Sequence, residues 1–193
     1  MKNSFLLKQC NRIYKTMQQE MQGCQSELSD EVKWIEKGFG ITMQAWLNIE
    51  KITDGYQFMN QQEEVYFYKT LKPRFTGLID YYKLIYKSVL FQPDDSKKRA
   101  AYWRSELKNC NKLISRYKTA CLYFEQQQPD SDIYFLQHNN QQPLIFGIDV
   151  NQFKLTNTSY SYLLGSLIAM KKYKKFMQEK VSDSTLERCQ IAA

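Results

Sequence analysis

The sequence has few of the residues that end or bend secondary structure, with seven glycines and four prolines among 193 residues. A sheet protein needs a turn after each short strand, and glycine and proline supply most of these turns. Their scarcity therefore argues against an all-β fold. Hydrophobic residues make up 43% of the chain and aromatic residues 15%, which excludes a disordered chain. We expect a helical protein that buries a real core.

A long hydrophobic run is also missing. The longest largely apolar stretch, Tyr162 to Met170, is about half of the roughly 18 residues needed to span a bilayer. At the N-terminus, Phe5 to Leu7 is followed at once by Lys8, and this run is too short for the core of a signal peptide. We therefore expect a cytoplasmic protein that does not enter a membrane.

Cysteine is present in an odd number and without a C-x-x-C pair. The five positions are Cys10, Cys24, Cys110, Cys121 and Cys189. The spacing between Cys10 and Cys24, and that between Cys110 and Cys121, returns both thiols of each pair to one side of a helix. A free cysteine behaves as a small hydrophobic residue, so we predict thiols in the core rather than disulfides or metal ligands. Reduced thiols agree with a cytoplasmic location.

Patterns that would indicate catalysis are missing as well. The single histidine, His138, lies in a Gln/Asn-rich stretch without a nucleophile motif beside it. Gly38-Phe39-Gly40 lacks the third glycine of a dinucleotide fingerprint. Asp130-Ser131-Asp132 and Glu63-Glu64 are explained by helix starts, where acidic side chains favour the helix dipole. We therefore predict that the protein is not an enzyme and needs no cofactor or metal.

Apolar residues recur at spacings of three and four in five segments, which predicts amphipathic helices. The predicted ranges are 4–23, a helix after the N-cap Ser29 that extends to Ile49, 62–91, 96–125 and 158–181. Gly38 and Gly40 predict a kink or a break in the second helix. Pro73 predicts a kink, or two consecutive helices, in the third.

These segments predict a mainly α protein, a bundle of about five or six helices with a short irregular or strand segment near residues 144–150. A boundary near residue 128 would divide the chain into a helical bundle, 1–128, and a C-terminal helical region, 129–193. One continuous domain over 1–193 is the alternative. The stretch 130–136 is predicted as a short element, followed by a polar loop over 137–142.

The positive charge is concentrated in the middle of the chain. The formal net charge is +7. Residues 65–118 contain thirteen Lys/Arg and four acidic residues, which makes that segment +9 and the remainder −2. A local basic surface favours an anionic partner such as nucleic acid.

The clearest amphipathic segment is the predicted helix over 96–125. Its apolar face consists of Ala100, Trp103, Leu107, Cys110, Ile114, Tyr117 and Cys121. Four cations at i, i+4 spacing lie well away from that face, and we name them the basic ridge: Arg104, Lys108, Lys112 and Arg116. The last helix adds Lys171, Lys172 and Lys175. We predict that these seven residues contact nucleic-acid phosphates, with an ordinary solvated face as the alternative. No helix-turn-helix pattern is visible.

Several segments resemble the RteC-type regulators of Bacteroides conjugative transposons. They are Tyr66–Pro73, Tyr81-Tyr82, Asp132–Phe135, Ser159–Leu164 and Ile168-Ala169, in the family's order and spacing, and the resemblance as a whole extends over most of the chain. The resemblance implies a transcriptional regulator in the tetracycline-linked cascade that turns on excision genes by binding double-stranded DNA near the promoter.

The sequence departs from the family pattern in two respects. We associate the family with a C-terminal winged-helix-like segment that we expect this sequence to lack, and the arginine expected after Asp132–Phe135 is replaced by Leu136 and Gln137. Either surfaces within these residues contact DNA, or the chain lacks the DNA-binding segment that longer relatives carry. The alternative function is a helical protein–protein interaction module that self-associates or binds another regulatory protein without contacting DNA.

Overall fold

The computed structural model describes residues 4–27, 30–126 and 157–191. Six α-helices follow one another: α1 (Phe5–Glu27), α2 (Glu31–Thr53), α3 (Gln61–Tyr66), α4 (Lys72–Phe91), α5 (Ser96–Gln126) and α6 (Asn157–Ile191). A π-helical turn, Phe67–Leu71, joins α3 to α4. No strand occurs within the described ranges, so the predicted mainly α bundle is confirmed. The predicted short element (130–136), polar loop (137–142) and segment near 144–150 lie outside the described residues.

The start of α2 corrects one prediction. The N-cap is Asp30, not Ser29, because the Asp30 carboxylate accepts the backbone N–H groups of Val32 and Lys33 at 3.0 and 3.2 Å. These N–H groups have no carbonyl partner within the helix, and a carboxylate one residue before the first turn satisfies them. The start of α5 is capped in the same way, since the Asp95 carboxylate accepts the N–H of Lys98 at 2.8 Å.

α2 runs without a break through Gly38 and Gly40, so a break there is wrong, and the alternative of a kink stays a prediction. Gly38 has a packing role instead. A Cβ atom at this position would lie 2.5 Å from two ring carbons of Tyr82 on α4. The missing side chain lets the ring approach the α2 backbone, and that packing outweighs the weak helix propensity of glycine.

The predicted stretch over 62–91 divides into two helices, which confirms the second of the alternatives offered for Pro73. Pro73 lies in the first turn of α4, directly after the π-helical turn, so the α-helical hydrogen-bond pattern changes where its N–H is missing. Before it, Glu63 is buried in the first turn of α3. Its carboxylate accepts the Tyr56 hydroxyl at 3.1 Å and the Met59 N–H at 2.7 Å, so it fixes the connection from α2.

The helices pack in the order α1, α2, α4, α6 and α5, each against the next. One buried cluster joins α1 and α2 to the π turn and the start of α4, around Leu6, Ile49 and Phe75. A second cluster joins α2, α4, α5 and α6 around Tyr82 and Trp103. α6 therefore contributes to the same core as α2, α4 and α5. The division at residue 128 stays a prediction, because residues 127–156 lie outside the described part of the chain.

α4 and α6 approach each other closely at two glycines, Gly77 and Gly165. A Cβ atom on Gly77 would lie 2.7 Å from the carbonyl oxygen of Gly165 and 2.9 Å from Ile168. A Cβ atom on Gly165 would in turn collide with the Thr76 hydroxyl. Both glycines are buried. Because glycine has a hydrogen in place of a side chain, the two backbones touch at these positions, and α6 packs deep in the core. Within the described residues, no helix combines the length and apolar character needed to cross a bilayer.

Candidate nucleic-acid interface

α5 separates its apolar and basic residues as the sequence predicts. Trp103, Cys110 and Tyr117 on the apolar face are at most 2% exposed, and Leu107 is half-buried. All four residues of the basic ridge (Arg104, Lys108, Lys112 and Arg116) are exposed. At a rise of 1.5 Å per residue, the ridge extends over about 18 Å of helix. The structure therefore places these four cations together along the outer side of α5.

Neither acidic side chain of α5 neutralises the basic ridge. α5 has two acidic residues, Glu106 and Glu125, and each binds a tyrosine of α6. Tyr173 donates its hydroxyl to Glu106 at 3.0 Å, and Tyr160 donates to Glu125. Tyr173 also hydrogen-bonds Ser88 of α4, so the Glu106 carboxylate is tied to the bundle interior. Sequence reasoning missed both tyrosines, because nothing in the local pattern joins residues 106 and 173.

No ridge cation forms a salt bridge with any residue that the structure describes. The ion pairs within the described ranges join Lys33 to Asp30, Lys83 to Asp80 and Lys180 to Glu31. Cations spaced at i, i+4 repel one another and weaken the helix that carries them. An external anion would relieve this repulsion, and the phosphates of a nucleic acid are spaced closely enough to meet several cations over 18 Å.

The lysines of α6 are less clearly part of the same surface. Lys171, Lys172 and Lys175 are all exposed, as predicted. Burial raises the pKa of the Cys121 thiol on α5 to about 11, and the positive charge of Lys171 partly opposes that rise. No contact between these three lysines and the basic ridge is seen among the described residues. Phosphate contact by any of the seven cations stays a prediction.

The described thiols belong to the core. Cys10, Cys24, Cys110 and Cys121 are buried and free of disulfides, as predicted. Burial raises the pKa of Cys10 and Cys110 to about 11, so both are protonated at neutral pH and are poor nucleophiles. Within the described ranges, no group of three His, Cys, Asp or Glu residues could hold a metal ion. His138, Asp130 and Asp132 lie outside those ranges.

Comparison with known proteins gives one family. The family model described as RteC protein matches residues 66–191, which is more than half of the chain and includes α4, α5 and α6. No curated protein and no solved structure matches the chain. The matched range contains the basic ridge, both α5 carboxylates and the α6 tyrosines that bind them. The chain belongs to the RteC family.

Proposed function

We propose that this protein is a cytoplasmic transcriptional regulator of conjugative-transposon excision genes, and that it acts by binding double-stranded promoter DNA. Membership of the RteC family fits a regulator of this process. In this proposal the protein is not an enzyme and uses no cofactor or metal. The basic ridge (Arg104, Lys108, Lys112 and Arg116) and the α6 residues Lys171, Lys172 and Lys175 contact DNA phosphates.

The observation that carries the proposal is that neither α5 carboxylate pairs with the basic ridge. Tyr173 and Tyr160 of α6 bind Glu106 and Glu125, and the four ridge cations have no acidic partner among the described residues. Ser105, Asn109 and other uncharged polar residues stand between the cations. A surface of this composition favours contacts with a polyanion.

The salt dependence of DNA binding tests the basic ridge directly. Each phosphate that a cation neutralises releases counterions, so four contacts give a slope of log K against log [salt] of about −3.6. Binding should then weaken about 150-fold between 50 and 200 mM salt from the ridge alone. Fluorescence anisotropy with a labelled promoter duplex over a salt series measures both quantities.

A matched pair of variants separates the ridge from overall charge. The ridge variant changes Arg104, Lys108, Lys112 and Arg116 to Gln. The control variant changes four exposed lysines of α1 and α2 to Gln, and it removes the same formal charge: Lys8, Lys15, Lys37 and Lys51. We expect the slope of log K against log [salt] to become shallower by about 3.6 in the ridge variant and to change little in the control. An equal change in both variants, or none in the ridge variant, would refute phosphate contact by the ridge.

Specific regulation needs a further comparison. The promoter upstream of the excision genes of the same element is tested against unrelated DNA of equal length at each salt concentration. A specific regulator prefers the promoter, and the preference persists as salt rises because base contacts release few counterions. Equal affinity for both duplexes would reduce the proposal to general polyanion binding. A triple Gln variant of Lys171, Lys172 and Lys175 tests the α6 contribution in the same assay.

A protein–protein interaction module is the second candidate, and exposed apolar residues favour it. Leu90 and Phe91 at the end of α4 are 54% and 69% exposed, and Phe5 on α1 is 73% exposed. Exposed aromatic side chains of this size are typical of contacts with other proteins. Sedimentation velocity would show self-association. Two results together would favour this second function. The protein would not bind DNA at moderate salt, and variants of Leu90 and Phe91 would abolish its self-association.

A further inference from the structure

α5 has one side that no helix among the described residues covers. It is the last helix in the packing order and packs chiefly against α6. Trp103 and Cys110 lie on the side towards α6, where they contact Phe176 and the Met170 carbonyl oxygen. The opposite side is exposed, and the 31 residues of α5 make it about 46 Å long. A long helix with an uncovered side can enter the major groove of DNA, which is about 12 Å wide and admits one α-helix.

The exposed side of α5 consists of three parallel rows of residues at i, i+4 spacing. The middle row is the basic ridge. The outer rows are uncharged, and we name them the Ser105 row (Ala101, Ser105 and Asn109) and the Ser115 row (Asn111, Ser115 and Thr119). All six of these residues are exposed, and none has a side chain larger than that of asparagine. The ridge cations therefore lie between two rows of small uncharged residues.

The Ser115 row has positive charge on both sides. Each of its members stands three residues after a ridge cation, so the ridge borders the row along its whole length. On the other side, the exposed Lys118 stands three residues after Ser115. A DNA groove has a phosphate strand on each wall and base edges on its floor. A row with cations on both sides therefore faces the floor of the groove when those cations contact its walls.

The Ser105 row lacks this arrangement. On the side away from the ridge it is bordered by Lys98 and by Glu106, whose opposite charges cancel. Glu106 stands three residues before Asn109, beside the middle of the ridge, and its carboxylate accepts the Tyr173 hydroxyl. A carboxylate at this position repels a phosphate strand. The distribution of charge thus favours the Ser115 row, and not the Ser105 row, as the part of α5 that faces base edges.

Asn111 is the member of the Ser115 row that is best suited to read a base. The Thr119 hydroxyl already donates to the Ser115 carbonyl oxygen at 3.1 Å. The Ser115 hydroxyl can pair with more than one kind of base, so it distinguishes sequences weakly. The Asn111 side chain is exposed and carries an amide with both donors and an acceptor. An asparagine amide matches the adjacent donor and acceptor that adenine presents in the major groove.

We propose that α5 lies in the major groove with the Ser115 row towards the base edges, and that Asn111 reads an adenine. The basic ridge contacts one phosphate strand, and Lys118 contacts the other. This inference rests on the proposed DNA binding and adds to it the residue that distinguishes one sequence from another. The ridge supplies most of the affinity, whereas Asn111 supplies a preference for one A·T pair.

Selection from a duplex library with a randomised centre tests the inference, using the full chain, Asn111→Ala and Asn109→Ala. Asn109 is the matched control, because it is an exposed asparagine of the same helix on the other side of the ridge. Both substitutions keep the net charge and favour the helix, since alanine has the higher helix propensity. We expect the wild type to select a consensus sequence. Asn111→Ala should lose the preference at one A·T pair of it, and Asn109→Ala should select it unchanged.

Binding to single duplexes gives the magnitude of the preference. Replacing that A·T pair should weaken wild-type binding about tenfold and should change the binding of Asn111→Ala little. The slope of log K against log [salt] should be the same in all three proteins, because neither asparagine is charged.

The outcomes separate this inference from the proposed function. An unchanged consensus in Asn111→Ala, or the same loss in Asn109→Ala, would overturn the reading role of Asn111 and leave phosphate contact by the ridge intact. A wild type that binds DNA without selecting any consensus would overturn it as well. Absence of DNA binding by the wild type would refute the proposed function and this inference together.

Discussion

The contact between Gly77 and Gly165 gives a quantitative test of how tightly α4 and α6 pack. In Gly77→Ala, the new Cβ atom would lie 2.7 Å from the Gly165 carbonyl oxygen and 2.9 Å from Ile168. The carbonyl belongs to the backbone of α6 and cannot rotate away, so the two helices must separate. In contrast, Gly40 lies in the interior of α2 and would place its Cβ atom in open space.

The two substitutions are chemically identical and should have opposite effects. Replacing a helical glycine by alanine stabilises an exposed site by about 1 kcal/mol, because alanine has less backbone freedom to lose on folding. Gly40→Ala should show this gain alone. At Gly77 the same gain is opposed by about 2–3 kcal/mol of overpacking, the upper part of the usual range, because the colliding atom is a backbone carbonyl oxygen in a core that α4 and α6 share. We expect a net loss of about 1–2 kcal/mol for Gly77→Ala.

Urea unfolding followed by circular dichroism measures both effects. The denaturation midpoint should rise in Gly40→Ala and fall in Gly77→Ala, with the slope m unchanged. For a chain of this length, the melting temperature should rise by about 2–4 °C and fall by about 2–8 °C respectively. If Gly77→Ala were as stable as Gly40→Ala, the close approach of α4 to α6 would be wrong. A fall of the same size in both variants would instead show that glycine is needed for a local backbone reason.

Two further substitutions test the buried hydrogen bonds. Burial alone would raise the pKa of Glu63, but hydrogen bonds from Ser4, the Met59 N–H and Tyr56 outweigh it and leave the pKa below its ordinary value. The ionised Glu63 therefore stabilises the fold at pH values above the usual carboxyl pKa, and this contribution is lost as pH falls through the folded-state pKa. Glu63→Gln should lower the free energy of unfolding by about 1–3 kcal/mol at pH 7. The difference in stability between variant and wild type should narrow below about pH 4. A gap that stays constant down to pH 3 would contradict this role. Tyr173→Phe removes the hydroxyl shared with Ser88 and Glu106 and should cost about 1–2 kcal/mol in urea unfolding, and unchanged stability would show that this network contributes nothing.

Most of the helical architecture could be predicted because its cause is local. Leu6, Cys10 and Met17 recur on one face of α1, and Trp103, Cys110 and Tyr117 recur on one face of α5, and all six are buried. A repeat near 3.6 residues is visible in the sequence whenever a helix has one face in the core. α6 shows the limit of this reasoning, because it packs against α4 on one side and α5 on the other.

One wrong expectation has its cause in a partner that is distant in sequence, and another has a local cause. Gly38 was predicted to interrupt α2, since glycine weakens an isolated helix. In the fold, the Tyr82 ring occupies the space that a side chain at Gly38 would fill, and this packing keeps the helix intact. The N-cap of α2 differs by one residue for a local reason. Asp30 and the preceding serine both suit an N-cap, and propensity alone does not choose between them.

The basic ridge was predictable as a set of residues, but the partners of the α5 carboxylates were not. Residues two apart on a helix do not face each other, so the sequence separates Glu106 from Arg104 without showing what the Glu106 carboxylate binds. In the structure, Tyr173 reaches Glu106 from another helix, 67 residues away in the chain, and holds the carboxylate against the bundle. Tyr160, also on α6, donates its hydroxyl to Glu125 near the end of α5. The same α5 sequence would therefore offer a weaker anion-binding surface if α6 did not pack beside it. The net charge of a segment predicts a polyanion partner only when its acids are known to face the same side as its bases.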